Sequence, residues 1–401
     1  MATVVLVGTL DTKGHELAYL RDRVREHGVG VLLVDVGVFE PQVEPDVSRE
    51  EVARAVGEDA AGLAARGDRG AAVTAMARGA EAVARRLHAE GRLDAIAGLG
   101  GSGNSSIATA AMRALPVGVP KLMVSTLASG DTRPYVGAVD VTMTYSVVDV
   151  SGINSISARI LSNAAGAIAG MAKATVPPLD EKPLIGATMF GVTTPAVTRA
   201  RERLEELGYE VLVFHATGTG GQSMEALVRG GYLAGVLDLT TTELADELVG
   251  GVLSAGPDRL EAAGAAGVPQ VVSVGALDMV NFGPRETVPE RFEGRNLYVH
   301  NPTVTLMRTT PEENRELGRR MGRNLSAATG PTVLFVPLRG VSMIDVEGQP
   351  FHDPEADAEL LAGLRETLDG VETHELDVDV NDSSFADAMA NRLHEMLEEA
   401  R

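Results

Sequence analysis

The chain has no cysteine. Disulfides, thiolate nucleophiles and cysteine-ligated zinc are excluded together. It also lacks tryptophan, and aromatic residues make up 3% of a sequence that is 44% hydrophobic. A core drawn from that material is Val, Leu, Ile and Ala, as in sheets covered by helices. Lysine is almost missing as well: of 35 Lys plus Arg, only Lys13, Lys121, Lys173 and Lys182 are lysine. No run of about 18 apolar residues occurs, and MATVVLVGTLDTKG places no basic segment ahead of its apolar stretch, so the sequence reads as cytoplasmic. Positive charge is scarce overall. With a formal charge of −21 and no Lys/Arg block to form a basic platform, nucleic acid and anionic membranes are not expected partners.

What is present is an alternation. At 401 residues the chain exceeds what one core usually holds, so two domains are expected. Short β-branched runs alternate with helix-period segments, the pattern of parallel sheets with helical crossovers. Strands are expected near 3–8, 30–36, 94–99, 120–126 and 139–145, and again near 184–189, 210–214, 234–238, 270–275, 296–300, 331–337 and 372–380. Val73, Met76, Ala80, Val83 and Leu87 mark an amphipathic helix. SGINSISARILSNAAGAIAGMAKA (151–174) reads as a small-residue helix suited to close packing, including against a second copy of the chain. Helix starts are punctuated at Thr194-Pro195, Asp353-Pro354 and Thr310-Pro311-Glu312-Glu313. The proline-rich TVPPLDEKP (175–183) separates the halves. The expected fold is α/β, two Rossmann-like three-layer domains with mostly parallel sheets. Residues 1–176 are expected to form an N-terminal Rossmann-like nucleotide-binding domain and 184–401 a C-terminal Rossmann-like domain, with 177–183 as linker.

Two loops of the first half carry the chemistry. VVLVGTLDTKGHE (4–16) breaks from an apolar run into Gly8, Thr9, Asp11, Thr12 and Lys13. AIAGLGGSGNSS (95–106) breaks into Gly100, Gly101, Ser102, Gly103, Asn104 and Ser105 before a helix. Backbone N–H groups in such a turn, with the helix N-terminus behind them, suit an anion. A Cβ at Gly101 or Gly103 would clash with a phosphate or strain a positive-φ position. In an open parallel sheet both loops emerge on the ligand-binding edge, so Lys13 and the glycine turn could hold one polyphosphate. Asp35 and Gly37, ending the second strand, are placed to meet a ribose or base. The bland alternatives stay open: a tight strand-to-helix turn and a solvated surface lysine. Neither loop is a Walker A motif or a G-x-G-x-x-G fingerprint.

STLASGDTRPYVG (125–137) adds Thr126, Ser129, Asp131 and Arg133, either as a wall of the same site or as an ordinary polar loop. Asp149 and Ser151 precede a helix, where capping is the simpler role. In the second half HATGTGGQS (215–223) repeats the glycine-loop design without a cation, and His215 and Thr217 could bind substrate there. Thr240, Thr241, Asp278, Asn281 and His300 complete a possible substrate cleft, each also explicable as structural. The start of this half, LIGATMFGVTTP, repeats the first strand and loop, with Thr193 and Pro195 where the first copy has Asp11 and Lys13. No H-E-x-x-H, no metal-ligand spacing of histidines and no G-x-S-x-G elbow occurs, so no metal site is expected in the chain itself.

GTLDTKGHE, GLGGSGNSS, STLASGDTRPYVG, MTYSVVDVSGIN, VFHATGTGG, LDLTTTEL, GALDMVNFG and HNPTVTLMRTT occur in order. Together they resemble the ATP-binding domain family of the tomato mosaic virus resistance protein, from about residue 3 to beyond 385. One departure is DVNDSSFAD, where a histidine is expected before Asn381-Asp382. The resemblance implies two Rossmann-like subdomains, ATP with Mg²⁺ near Gly8–Lys13 and Gly100–Ser105, and a homodimer. In plant and fungal relatives this region is fused to a TIM-barrel-like domain, so a separate TIM-barrel-like partner is expected. Two functions follow: an ATP-dependent enzyme, such as a kinase or ligase of a small-molecule acceptor, or a nucleotide-responsive binding module. A sugar or sugar-phosphate binding protein of two α/β lobes is the more distant alternative.

Overall fold

The computed structural model describes residues 1–177 and 182–400. The chain divides into two compact units, Met1–Pro178 and Leu179–Arg401. The expected linker at 177–183 lies mostly outside the described residues.

The N-terminal unit runs β1 (Thr3–Gly8), α1 (Leu10–Glu26), β2 (Gly30–Asp35), α2 (Arg49–Arg54), α3 (Ala60–Arg66), α4 (Arg69–Ala89), β3 (Ala95–Gly100), α5 (Ser102–Arg113), β4 (Lys121–Ser125), α6 (Arg133–Val136), β5 (Val141–Tyr145) and α7 (Ser155–Met171). All five strands are parallel, in the order β2-β1-β3-β4-β5. Alternate residues of β1 serve opposite cores, because side chains of a strand alternate across the sheet. Val5 and Val7 join Met76, Leu87 and Met112 on one face, while Val4 and Leu6 join Leu17, Leu161 and Ile168 on the other. Strand order reverses between β1 and β3, so the carboxyl edge there is where an open α/β sheet leaves a crevice.

The C-terminal unit runs β6 (Leu184–Met189), α8 (Thr194–Glu206), β7 (Glu210–His215), α9 (Thr219–Arg229), β8 (Gly235–Thr240), α10 (Glu243–Val249), α11 (Ala262–Ala266), β9 (Gln270–Gly275), β10 (Met279–Phe282), β11 (Leu297–Asn301), β12 (Val304–Arg308), α12 (Pro311–Ser326), β13 (Thr332–Pro337), α13 (Pro354–Thr367), β14 (Glu372–Leu376) and α14 (Ser383–Glu399). Six strands form a parallel sheet, β14-β13-β9-β8-β6-β7, and β10-β12-β11 form a small antiparallel one. From its first strand outward the large sheet follows the same order as the first unit. The two units are both Rossmann-like.

Helix starts follow the capping chemistry. Thr310 and Glu313 form a reciprocal capping box ahead of α12, and Asp353 accepts the Ala356 N–H ahead of α13. Three expectations are corrected. The segments carrying Asn281 and Arg308, where no strand is expected, supply β10 and β12, which pair within a small sheet rather than the main one. The helix after β5 starts at Ser155, capped by Asn154 with Ser157 rather than by Asp149 or Ser151. Its alanines Ala164, Ala165 and Ala169 are buried in this unit's own core beside Leu17 and Leu20, so that close-packing face is already used within the chain. Among the described residues no helix is long and apolar enough to cross a membrane.

Candidate functional site

The crevice at the β1/β3 edge is a cavity of about 530 Å³. Its polar lining comes from Thr9, Asp11, Thr12 and Lys13 after β1, Gly37 after β2, and Gly101, Ser102, Gly103 and Asn104 after β3. Its apolar wall is Val36, Val38, Leu63, Ala64, Ala72, Val73, Met76 and Ile107. The sequence-expected loops therefore meet at one place, because β1 and β3 are neighbours and their carboxyl ends are level.

Each contributor is held from behind. Asn104 bridges the two strand ends, donating its amide N–H to the Leu99 carbonyl at 2.5 Å and more weakly to that of Val7 at 3.5 Å. Its Oδ1 is buried without a partner. Thr9 and Thr12 hydroxyls pair at 2.9 Å. Lys13 departs from helical dihedrals (φ −128°, ψ 18°), and its ammonium donates to the Val150 carbonyl. The same segment is tied to α1 again where Gly152 N–H donates to Glu16 at 2.6 Å. Lys13 makes no ion pair among the described residues.

The glycines divide by role. Gly8 lies behind the cavity: a Cβ there would fall 2.2 Å from Leu17 Cδ1, so it permits the strand-to-helix contact. Gly100 (φ 149°) supplies the turn itself. Gly101 is not strained, contrary to expectation: its φ is −87°, and an added Cβ would come no nearer than 3.8 Å to Thr126 Oγ1. Gly103 faces Arg69, whose guanidinium would lie 3.6 Å from such a Cβ.

Asp35 does not reach the cavity. It is fully buried, and its Oδ1 accepts the N–H groups of Leu10 at 3.0 Å and Gly37 at 2.9 Å. Burial pushes its carboxyl above the ordinary value, and those two donors partly offset the rise. It organises the β1 and β2 loops rather than meeting a ligand. Ser105 is likewise buried, sharing a 2.7 Å hydrogen bond with Ser125. Thr126 supports the turn through its N–H to the Gly100 carbonyl, and Ser129 is exposed and off the lining. Asp131 and Arg133 are exposed and bind each other, which holds the Asp131 carboxyl down at about 2.

Three contributors escaped the sequence reading. Arg69 opens α4, makes no hydrogen bond or ion pair among the described residues, and lines the cavity. Phe39 lines it with 61% of its surface exposed. Asp149 lines it as well instead of capping. No local signal marks Arg69 or Phe39, because only the fold brings the start of α4 and the chain after β2 to the glycine turn.

The equivalent edge of the C-terminal unit is filled by the chain itself. Gly218 and Gly221 of the second glycine loop donate to Glu243 Oε1 at 2.7 and 3.1 Å. Arg259, 1% exposed, holds Glu243 at 2.6 Å and Asp238 at 2.5 and 2.7 Å. Thr193 and Thr240 hydroxyls close the gap between β6 and β8 at 2.7 Å. A carboxylate of the protein thus sits where the loop would otherwise cradle an anion.

The expected substrate cleft is not assembled. Thr241 is buried and donates to the Ser273 carbonyl, and Asn281 is buried against Asp246 at 2.6 Å. His215 and His300 are exposed, Thr217 is half-buried beside the His215 carbonyl, and none shares a site with Asp278. Asp278 instead belongs to a buried cluster in which Asp345 and Asp357 flank Arg308 Nη2 at 3.0 and 2.7 Å, and Ser342 donates to Asp278 at 2.8 Å. Burial drives all three carboxyls upward, with Arg308 working the other way. Asp357 opens onto a cavity of about 330 Å³ at the ends of β9 and β13, beside His352 and Arg339. Among the described residues no group of three or more His, Asp or Glu side chains could hold a metal ion.

Fold and site together define a protein of two Rossmann-like units, the first with an open cavity at its switch point. The chain belongs to UPF0261, an uncharacterised protein family: the model of its N-terminal domain matches residues 2–177 and that of its C-terminal domain residues 182–397. A UPF0261 protein of Clostridium tetani is 56% identical over 399 residues, covering 98% of this chain and 99% of that one. One from Rhizobium meliloti is 51% identical, covering 97% of each. The ToMV resistance protein Tm-1 of Solanum lycopersicum is 40% identical over 99% of this chain, which spans only 56% of the tomato protein. Among solved structures, a putative UDP-N-acetylglucosamine 2-epimerase from Listeria monocytogenes aligns with 94% of this chain and 100% of its own at 13% identity and a TM-score of 0.25. Similarity that weak carries nothing about chemistry.

Proposed function

We propose that the N-terminal unit binds ATP, with the phosphates over the Gly101–Asn104 turn and the base toward the apolar wall. The observation that carries this is the pair of cations. In a chain of charge −21, Lys13 and Arg69 both face one cavity and neither is paired with an acid. They flank a glycine turn whose helix N-terminus adds positive potential. Mg²⁺ would arrive with the triphosphate. The test is calorimetric titration of ATP, ADP and AMP. Removing a charge-assisted contact costs on the order of 1.5–3 kcal/mol, so Lys13→Ala or Arg69→Ala should weaken ATP roughly ten- to a hundredfold and AMP little. No ATP binding at millimolar concentration would sink the reading.

The bound nucleotide serves an ATP-dependent enzyme acting on a small-molecule acceptor, with a separate TIM-barrel-like partner. Support comes from the C-terminal unit, where Asp357 presents a buried carboxyl cluster, raised above the ordinary value by burial, to a cavity, the setting in which acid–base groups are tuned. Release of ADP on adding acceptor candidates and partner checks it. A second reading, a nucleotide-responsive binding module working as a homodimer, is favoured by one contact. The Lys13 ammonium is held by the Val150 carbonyl, so a phosphate that draws it away loosens the segment carrying Val147, which is 60% exposed. Nucleotide-dependent loss of protection of that segment in hydrogen exchange, without turnover, would favour the module.

A further inference from the structure

The N-terminal cavity offers hydrogen-bond acceptors as well as cations, and the acceptors constrain which part of a ligand lies where. Asp11 Oδ2 accepts the backbone N–H groups of Val38 and Phe39 at 3.3 and 3.2 Å, whereas its Oδ1 is buried with no partner. Asn104, 5% exposed, leaves its Oδ1 unpaired on the same cavity. Turning that amide over would set its oxygen against the Leu99 carbonyl at 2.5 Å, so the oxygen is the atom left without a partner. Phosphate oxygens at neutral pH are acceptors only. A wholly anionic ligand would leave both oxygens without donors, and a buried acceptor without a donor is costly. A ligand that carries hydroxyls beside its phosphates would supply those donors.

Position says which ones. Asp11 packs on the β2 side, close enough that a Cβ on Gly37 would lie 2.8 Å from its Cγ. Phe39 follows two residues later with its ring uncovered. Lys13 and the Gly101–Gly103 turn supply the phosphate end. Asp35, the acid at the end of β2, is off the cavity lining: its Oδ1 takes two backbone donors, and its Oδ2 is buried without one.

We infer that Asp11 accepts a ribose hydroxyl and Phe39 stacks on the base, making the site selective for ribonucleotides. This rests on the nucleotide reading above. The experiment titrates ATP, 2′-deoxy-ATP, 3′-deoxy-ATP and inorganic tripolyphosphate into the wild type, Asp11→Asn and Phe39→Ala. Asn keeps an oxygen for the Val38 and Phe39 N–H groups, and matching thermal midpoints would show that the variant folds. In the wild type at least one deoxynucleotide should bind roughly tenfold or more weakly than ATP, and tripolyphosphate weaker still. Asp11→Asn should bring ATP down to that deoxynucleotide and erase the preference, while Phe39→Ala weakens all nucleotides roughly tenfold but not tripolyphosphate. Equal affinity for ATP and both deoxynucleotides overturns the inference and leaves ATP binding standing. An Asp11→Asn defect that vanishes when Mg²⁺ is omitted overturns it too, since Asp11 would then be serving a cation. Failure of every nucleotide to bind removes both.

Discussion

Lys13 was legible because a lone lysine at the end of the first strand stands out where nearly every other cation is arginine. Its geometry sharpens the test. The ammonium reaches the Val150 carbonyl on a stem that leaves the helix at a non-helical residue, and a forked guanidinium is longer and planar. Lys13→Arg should therefore weaken ATP roughly tenfold, and wild-type affinity by calorimetry would return it to a surface role. Arg69 and Phe39 were not legible, since nothing in the sequence places the start of α4 or the chain after β2 beside the glycine turn. Asp35 was misread for a related reason: whether a strand-end acid meets ligand or backbone N–H depends on loop paths that no spacing encodes. Asp246 gives a separate residue-scale expectation. Burial in the C-terminal unit pushes its carboxyl to about 7, with Asn281 opposing the rise. A carboxyl raised in the fold keeps its proton where the unfolded chain has lost it, so stability falls as pH climbs from about 4 through about 7. Asp246→Asn should flatten that slope, provided Asn281 turns its amide so that its own unpaired Oδ1 accepts. Denaturant midpoints across that range measure it.

Among the elements, most strands and the start of α12 could be read directly, because β-branched runs and capping residues are local signals. Of the small sheet only β11 could, near 296–300. β10 and β12 are buried almost throughout, yet Asn281, Thr305 and Arg308 interrupt them, so neither shows a continuous apolar run or a clean alternation. The element with most at stake is the turn from β3 into α5. Since Gly101 has ordinary dihedrals and space for a methyl group, Gly101→Ala should leave the unfolding midpoint within experimental error, and Gly101→Val should change it little. Any loss of ATP affinity then reports the ligand's own approach to the backbone. Unchanged affinity in both variants would mean that no phosphate rests there. Gly100→Ala should behave differently, destabilising the fold through its positive φ and a contact with Asn104 Cβ at 2.9 Å.

For the molecule as a whole, two Rossmann-like units of matching strand order were foreseeable from the repeated opening of each half, as was the loss of Asp11 and Lys13 from the second copy. That Glu243 and Arg259 fill the second cradle was not. In the C-terminal unit Asp246, Asp278, Asp345 and Asp357 are all held above the ordinary carboxylate value by burial, and the net charge of −21 adds self-repulsion as acids ionise. Against them, exposed Asp131 and Glu372 are held near about 2 by Arg133 and by Arg392 with His374. Those contributions are present above pH about 4 and fade below it. The two signs place maximum stability on the mildly acid side, with a lower denaturant midpoint at pH 8 than at pH 5 and partial recovery in added salt. The seat filled by Glu243 has a further consequence. With the Glu243 carboxylate clasped by Gly218, Gly221 and Arg259, the glycine cradle of the second unit carries its own occupant. Glu243→Ala would evict that occupant, giving a domain whose melting temperature rises with formate or phosphate in the buffer.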